Sequence, residues 1–502
     1  MTEDDARYEA VRGRDARFDG VFFTCVTSTG VYCRPSCPAT TPKRANVRFH
    51  PSAAAAQAAG FRACRRCRPD AVPGSAEWNT RADAVGRAMR MIGDGVVDRE
   101  GVTGLAGRLG YSERQVRRQL TAELGAGPVA LARSQRAHAA RTLLQTTAMD
   151  IASVAFAAGF ASIRQFNDTI RQVYARTPRE LRAAGPAAPH ADGGGGIALR
   201  LAHRPPYAAG QVFDFLARRA VPGVEEITGE RGERGYRRTL RLPHGHGVAE
   251  VGEAGGPGWL PARLKLSDPR DLTAAVHRVR GLFDLDADPH AVTERLAADP
   301  HLGPLALTRP GLRSPGAADA HELAVRAVLG QQVTVAAARS LAATLVAAHG
   351  EPLPEPDGSL TSLFPEPEAL AEASLERLGM PESRRATLRT VGAALARGAV
   401  VLDVGADRAE AERALLALRG IGPWTAGYIR MRALGDPDVF LPGDAGVRHG
   451  LARIGAGAGA AEGWRPWRSY ALHHLWQAAS ATPVPTDREP TGRPARAGSA
   501  AP

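Results

Sequence analysis

Four of the chain's five cysteines fall in two close pairs, Cys33-Arg34-Pro35-Ser36-Cys37 and Cys64-Arg65-Arg66-Cys67. No other feature restricts the fold as tightly, because four side chains in two short segments must converge on one point. The spacing is C-x3-C, a gap of 26 residues, then C-x2-C. Four thiolates in two tight pairs suit tetrahedral Zn(II) through Cys33, Cys37, Cys64 and Cys67. Four unrelated buried cysteines would not need the pairing, whereas a purely structural zinc site would. A disulfide framework is not expected. The N-terminal stretch MTEDDARYEAVRGR has no apolar core of a signal peptide, and no run of about eighteen apolar residues occurs. A cytoplasmic protein with no membrane span is the expectation. Cys25 lies outside the pairs and reads as a small hydrophobe near a strand.

Tyr32 to Cys37 has the form aromatic-Cys-Arg-Pro-Ser-Cys, and Gly60 to Cys67 reads Gly-Phe-Arg-x-Cys-x-x-Cys. Over residues 5–75 this resembles the N-terminal domain of the Ada family of methylation-response proteins. The resemblance implies one Zn(II) and an unusual role for Cys33. There, a metal-bound thiolate takes a methyl group from a DNA backbone methylphosphotriester. Methylation turns a thiolate into a neutral thioether, which lowers repulsion from DNA phosphates. Arg34, Arg65, Arg66 and Arg68 flank the ligands and could hold phosphates. The family's second thiol acceptor, in a Pro-Cys-His-Arg motif, has no counterpart, since no cysteine follows Cys67. Repair of O6-alkylguanine by thiol transfer is therefore not expected.

At 502 residues the chain exceeds a single core, and three or four domains are expected. Its charge is unevenly spread. Residues 1–185 carry 28 Lys+Arg against 17 Asp+Glu, or +11, which leaves 36 against 35, or +1, for residues 186–502. A basic N-terminal third points to a polyanion, most simply double-stranded DNA.

Residues 80–183 contain a repeat. Gly110-Tyr111-Ser112 before Glu113-Arg114-Gln115 matches Gly159-Phe160-Ala161-Ser162 before Ile163-Arg164-Gln165. In each, glycine makes a turn, serine caps a helix, and glutamine takes the capping-box position. Ser112 and Ser162 are 50 residues apart, as are Pro128 and Pro178. Two units in phase resemble the AraC-type double helix-turn-helix domain. That resemblance implies recognition helices starting at Glu113 and Ile163. Arg114, Arg117 and Arg118, then Arg164, Gln165 and Asn167, would face a major groove. Ile151, Val154, Phe156, Phe160 and Phe166 read as core.

AGPAAPHADGGGG, residues 184–196, reads as a flexible linker. Residues 197–275 alternate apolar and polar residues in ALRLAHRPPY and YRRTLRLPHGHGVAEVGE, and predict an antiparallel sheet with a helix over Ala208 to Arg219. His244 and His246 read as a polar loop. From Asp271 to about Ala479 the pattern is helical, and the last residues read as disordered.

Gly420-Ile421-Gly422-Pro423 sits between two helical patterns, and the following loop ends at Asp444. Two glycines around a tight turn expose the N–H groups of the next helix, a natural phosphate seat. This hairpin, the segment Arg326 to Gln332, and Trp467-Arg468-Ser469-Tyr470-Ala471-Leu472 with Trp476 resemble 3-methyladenine DNA glycosylase II of the helix-hairpin-helix class, over residues 197–480. The resemblance implies Asp444 as catalytic carboxylate and Trp424, Tyr428 and Trp476 as aromatics of the base pocket. It also implies Gln331 and Gln332 as the wedge loop, with Gln332 where a bulky aliphatic residue is commoner, and Gly420 and Gly422 on the DNA backbone. Asp444 equally suits a helix N-cap before Ala445. Asp436 and Asp438 read as turn residues. The chain has two lysines, Lys43 and Lys265, neither in the hairpin. The position of the strand-nicking lysine in related hairpins is Trp424, which predicts simple hydrolysis by water. No cofactor is expected for that half.

The expected fold class is α+β multidomain. A zinc domain spans 1–79, an all-α double helix-turn-helix domain 80–183 and a linker 184–196. An antiparallel sheet domain spans 197–275, an all-α helix-hairpin-helix glycosylase domain 276–480 and a tail 481–502. The expected protein is a monomeric DNA repair enzyme fused to a methylation sensor and transcription activator, the latter implying RNA polymerase as a partner. A zinc-dependent regulator whose glycosylase-like half only binds DNA is the alternative.

Overall fold

The computed structural model describes residues 2–69, 84–184 and 196–480. The linker and the tail expected from sequence lie largely or wholly outside them.

The N-terminal domain is a four-stranded sheet of β1 (Phe23–Val26), β2 (Val31–Cys33), β3 (Val47–His50) and β4 (Arg62–Ala63), in the order β3-β1-β2-β4. β2 and β4 run parallel, with Val31 opposite Arg62 and Tyr32 opposite Ala63. That register sets Cys33, the last residue of β2, beside Cys64, the first after β4. Phe23 and Tyr32 fill the core edge-on, at 5.8 Å. Cys25 is fully buried between them and the next domain, and burial pushes its thiol up to about 12. It is an inert core residue.

Helices cover residues 84–183. Ser112 accepts from Gln115 N and forms a capping box at the start of Glu113–Leu124. Ser162 accepts from Gln165 N at the start of Ile163–Tyr174. Val116, Leu120 and Leu124 of the first helix, and Phe166, Ile170 and Val173 of the second, face inward. Val154, Phe160 and Phe166 are core, as expected, but Phe156 is 50% exposed. Val154, Ala155 and Ala157 already take the inward face of that two-turn helix, so Phe156 points out.

The second half opens with a five-stranded antiparallel sheet. Its strands are β5 (Ile197–Ala202), β6 (Glu225–Thr228), β7 (Gly235–Leu242), β8 (Gly245–Gly252) and β9 (Trp259–Leu266), ordered β5-β9-β8-β7-β6. Helix Ala209–Ala217 packs on it through Phe213, which meets Phe283 at 5.5 Å. Helices follow to Ser480, interrupted by a hairpin of β10 (Glu351–Asp357) and β11 (Leu360–Leu363) that sequence periodicity did not disclose. Three prolines and three acids in β10 mask its strand character. His244 lies at the β7–β8 turn, with its ring Nδ1 2.8 Å from Asp271, in keeping with a loop role, whereas His246 is a strand residue of β8 opposite Arg241.

The halves touch directly as well as through the chain. Arg87 and Arg90 donate to the carbonyls of Gly405 and Val404 at 2.7 and 2.9 Å, and Arg204 donates to Asp19 O at 2.6 Å. One apolar cluster runs from Phe23 and Tyr32 through Leu143 and Phe166 to Phe213 and Tyr236. Among the described residues, no helix is long and apolar enough to cross a membrane.

Candidate functional sites: a four-cysteine centre and a hairpin aspartate

The sulfurs of Cys33, Cys37, Cys64 and Cys67 all lie within 4.8 Å of one another. A tetrahedral zinc with Zn–S near 2.3 Å sets S···S edges of about 3.8 Å, so the donor set fits one Zn(II). The loop between Cys33 and Cys37 is fixed from below. The buried Asp19 carboxylate accepts from Ser36 N at 3.0 Å and Ser36 Oγ at 2.6 Å, and pairs with Arg34 at 3.2 Å. Asp19 gave no signal in the sequence; only the fold brings it under this loop. Cys33 and Cys67 are buried, whereas Cys37 and Cys64 are half-buried. Arg65 and Arg66 are exposed, while Arg68 bonds Gln145 of the helical domain at 2.8 Å. Arg114, Arg117, Arg118, Arg164 and Gln165 stand exposed on their two helices, free to meet a groove.

In the second half, the hairpin turns at Gly420 with φ +90°. A Cβ there would stand 2.0 Å from Thr387 Oγ1, so only glycine fits. Gly422 precedes helix Pro423–Ala433, whose first turn has no side-chain cap. Its N–H groups therefore remain available. Gln331 does not reach outward. Its amide donates to Gly420 O at 2.9 Å and Thr425 Oγ1 at 3.0 Å and ties its loop to the hairpin. Gln332 is exposed and held at φ +56°, an uncommon conformation for a residue with a side chain.

Asp444 is the N-cap of helix Ala445–Ile454 and accepts from Val447 N at 2.9 Å. Two indoles complete its shell. Trp424 Nε1 donates to Oδ2 at 3.0 Å and Trp476 Nε1 donates to Oδ1 at 2.9 Å. These residues come from three helices, and they converge because Trp476 packs on Gly446, where a Cβ would meet its ring at 2.8 Å. Trp424 and Tyr428, one turn apart, stack at 5.2 Å with 7° between their planes. Asp436 and Asp438 are used elsewhere. Asp436 accepts from Arg430, and Asp438 accepts from Arg465 and Arg468.

Sequence reading missed four neighbours of this pocket: Phe215 and Arg219 from the sheet domain, Arg432, and His473. Arg432 was findable, since it follows Trp424 and Tyr428 at four-residue steps on one helix face. His473 precedes Trp476 by three residues and meets it edge-on at 4.9 Å. Burial, with Arg432 and Arg219 nearby, holds the His473 imidazole well below its usual range, so it is neutral. Phe215 and Arg219 come from two hundred residues upstream and carry no local signal.

Comparison with known proteins matches four families in chain order. The metal binding domain of Ada matches residues 6–70, a helix-turn-helix domain 105–184, the AlkA N-terminal domain 198–319, and the HhH-GPD superfamily base excision DNA repair protein 325–462. A Mycobacterium tuberculosis protein named "Probable bifunctional transcriptional activator/DNA repair enzyme AlkA" is 51% identical over 477 residues, covering 93% of this chain and 95% of the relative. DNA-3-methyladenine glycosylase 2 of Escherichia coli is 35% identical, covering 54% of this chain and 94% of that protein. The bifunctional transcriptional activator/DNA repair enzyme Ada of Escherichia coli is 43% identical over 89 residues, covering 18% of this chain and 24% of the relative. Half identical to a relative along nearly its whole length, and matching all four domains in order, the chain belongs to the AlkA family of bifunctional transcriptional activator/DNA repair enzymes.

Proposed function

We propose that the C-terminal half is a monofunctional DNA glycosylase that releases alkylated bases of the 3-methyladenine type, with Asp444 as its catalytic carboxylate. The supporting observation is the carboxylate's shell: two indole N–H groups and one backbone N–H donate to it and aim both oxygens. The N-glycosidic bond breaks and its electron pair leaves with the base. The cationic sugar that remains is stabilised by the Asp444 carboxylate, which also takes a proton from the water that attacks C1′. Extruding the base is the costly step. The hairpin N–H groups hold the backbone, the Gln331–Gln332 loop enters the gap, and the aromatic walls receive the base. Stacking on Trp424 and Tyr428 favours a positively charged alkylpurine over a normal base.

The N-terminal half is a methylphosphotriester acceptor and a DNA-binding activator, with RNA polymerase as the partner that activation requires. Zn(II), when bound, keeps the four thiols deprotonated at neutral pH. Cys33 Sγ attacks the methyl carbon, the S–C bond forms, and the C–O electron pair stays on the phosphate as an ordinary diester. The alkyl thioether is neutral, and DNA affinity rises.

Product analysis on methylated DNA tests the first assignment. Wild type releases 3-methyladenine and Asp444→Asn does not; retained release removes Asp444 from the role, and no release from wild type favours a half that only binds DNA. A mass gain of one methyl on a peptide containing Cys33 tests the second. A gain on Cys37 or Cys64 reassigns the acceptor, and no gain leaves the metal site structural.

A further inference from the structure

Behind the stacked pair the pocket is cationic. Arg432 Nη1 donates to the Tyr428 phenol oxygen at 2.8 Å, and Arg219, which donates to Phe215 O at 3.2 Å, is near enough to act on that phenol electrostatically. Arg432 cannot swing away. It is buried, it donates to the carbonyls of Pro315 and Gly316, and its guanidinium lies 4.6 Å from the Phe215 ring centre. Arg219 sits over the same ring at 3.7 Å. The opposite face of Tyr428 is the stack on Trp424, which donates to Asp444. One guanidinium therefore holds, and a second lies near, the phenol of a ring whose stacking partner holds the carboxylate.

We propose that Tyr428, held by Arg432 with Arg219 nearby, sets the charge of the base pocket, and that ionisation of its phenol selects cationic over neutral bases. This rests on the glycosylase reading given above. Two fixed positive charges beside the pocket oppose entry of a cationic alkylpurine. A phenolate offsets one of them and draws the guanidiniums to itself, so the cationic base is admitted at lower cost. A neutral base feels little of either state.

The other charged groups around the ring act less strongly. From helix Ala320–Leu329, Arg326 is paired with Glu225 at 2.8 Å and Glu322 at 2.7 Å. From the C-terminal helix, His473 is neutral. Asp444 lies on the far side of Trp424. Burial alone would raise the phenol's pKa, but Arg432 and Arg219, with a smaller contribution from Arg326, outweigh burial and lower it to about 8. The ionisation thus falls within a range where the protein can be assayed.

Two measurements on the full chain test this. The first is absorbance of tyrosinate against pH without DNA. One phenol is expected to titrate near 8 in wild type. That step is absent in Tyr428→Phe and moves toward the ordinary value of about 10 in Arg432→Gln. Superimposable curves for wild type and Tyr428→Phe between pH 7 and 9 overturn the proposal. The second is the ratio of excision rates for 3-methyladenine, cationic in the nucleoside, and hypoxanthine, a neutral purine, in otherwise identical duplexes. The ratio is expected to rise several-fold from pH 7 to 9 in wild type and to stay flat in Tyr428→Phe. An equal slope in both overturns the selectivity even if the phenol titrates as expected. Release of neither base by wild type at any pH overturns the glycosylase reading and the selectivity with it, whatever the absorbance shows.

Discussion

The two reactive centres are built on opposite plans. The four-cysteine centre draws its donors from two segments within residues 33–67, and its geometry is enforced by a parallel strand pair and one shared ion site. The aspartate centre draws on three helices for the carboxylate shell and on the turn after Ala209–Ala217, about two hundred residues upstream, for Arg219 near Tyr428. On the reading proposed above, the first is a reagent consumed once, so it needs only a thiolate and access to DNA. The second must turn over, so its carboxylate must be returned to the same orientation each cycle. Charge follows the same division. The basic excess resides in residues 1–185, at +11, while on the proposed reading the near-neutral remainder holds DNA through directed N–H groups at the hairpin.

The comparison is broken most directly by Asp444→Asn. Loss of the carboxylate charge should cost at least about 100-fold in base release, the scale on which electrostatic stabilisers act. Methyl transfer to the N-terminal half should be unchanged. A matching loss of methyl transfer, read by mass spectrometry, would mean the centres are not independent.

Metal removal is the reciprocal experiment. A chelator should unfold the zinc domain, because its ligands converge only around an ion. Base release should persist, though residues 84–93 dock on Val404 and Gly405 and could carry some destabilisation across. Circular dichroism beside a release assay separates the two.

Trp424→Phe keeps a ring for stacking on Tyr428 but removes one of the two indole donors to Asp444. We expect about a tenfold fall in kcat with a smaller change in KM, the signature of a lost orienting hydrogen bond. An equal rise in KM would assign Trp424 to base binding alone.

The smallest expected effect concerns the helix-turn-helix core. Burial pushes Asp98 up to about 6, and Arg136 and Arg99 only partly counter it. Its folded value lies above the unfolded one, so the folded state holds the proton more tightly and stability falls as pH rises between about 4 and 6. Asp98→Asn should therefore gain roughly 1–2 kcal/mol at pH 7, and the gain should vanish near pH 4. Urea unfolding at the two values measures it. Asp284 in the second half is likewise pushed up to about 6 by burial and should be unaffected by that variant.

Much of the fold was legible because its signals are local. Helix starts at Glu113 and Ile163 follow from serine caps and their spacing, and a glycine hairpin followed by an uncapped helix follows from Gly420 to Pro423. The β10–β11 hairpin was not legible, since its prolines and acids carry no strand signal. Phe156 was misassigned because a two-turn helix has too few residues to fix which face is buried.

By itself the sequence determined the metal donors, the order of the four domains, the residues around the hairpin, and the absence of a lysine at Trp424. Each depends on residue identity at short spacing, which the chain states directly. Only the tertiary structure decided that Asp19 props the cysteine loop, that Gln331 holds the hairpin, and that two indoles aim Asp444. Only it placed Arg219 against Tyr428. Those arrangements arise from packing between distant segments, where a single side chain's partner depends on the whole core and not on its neighbours in sequence.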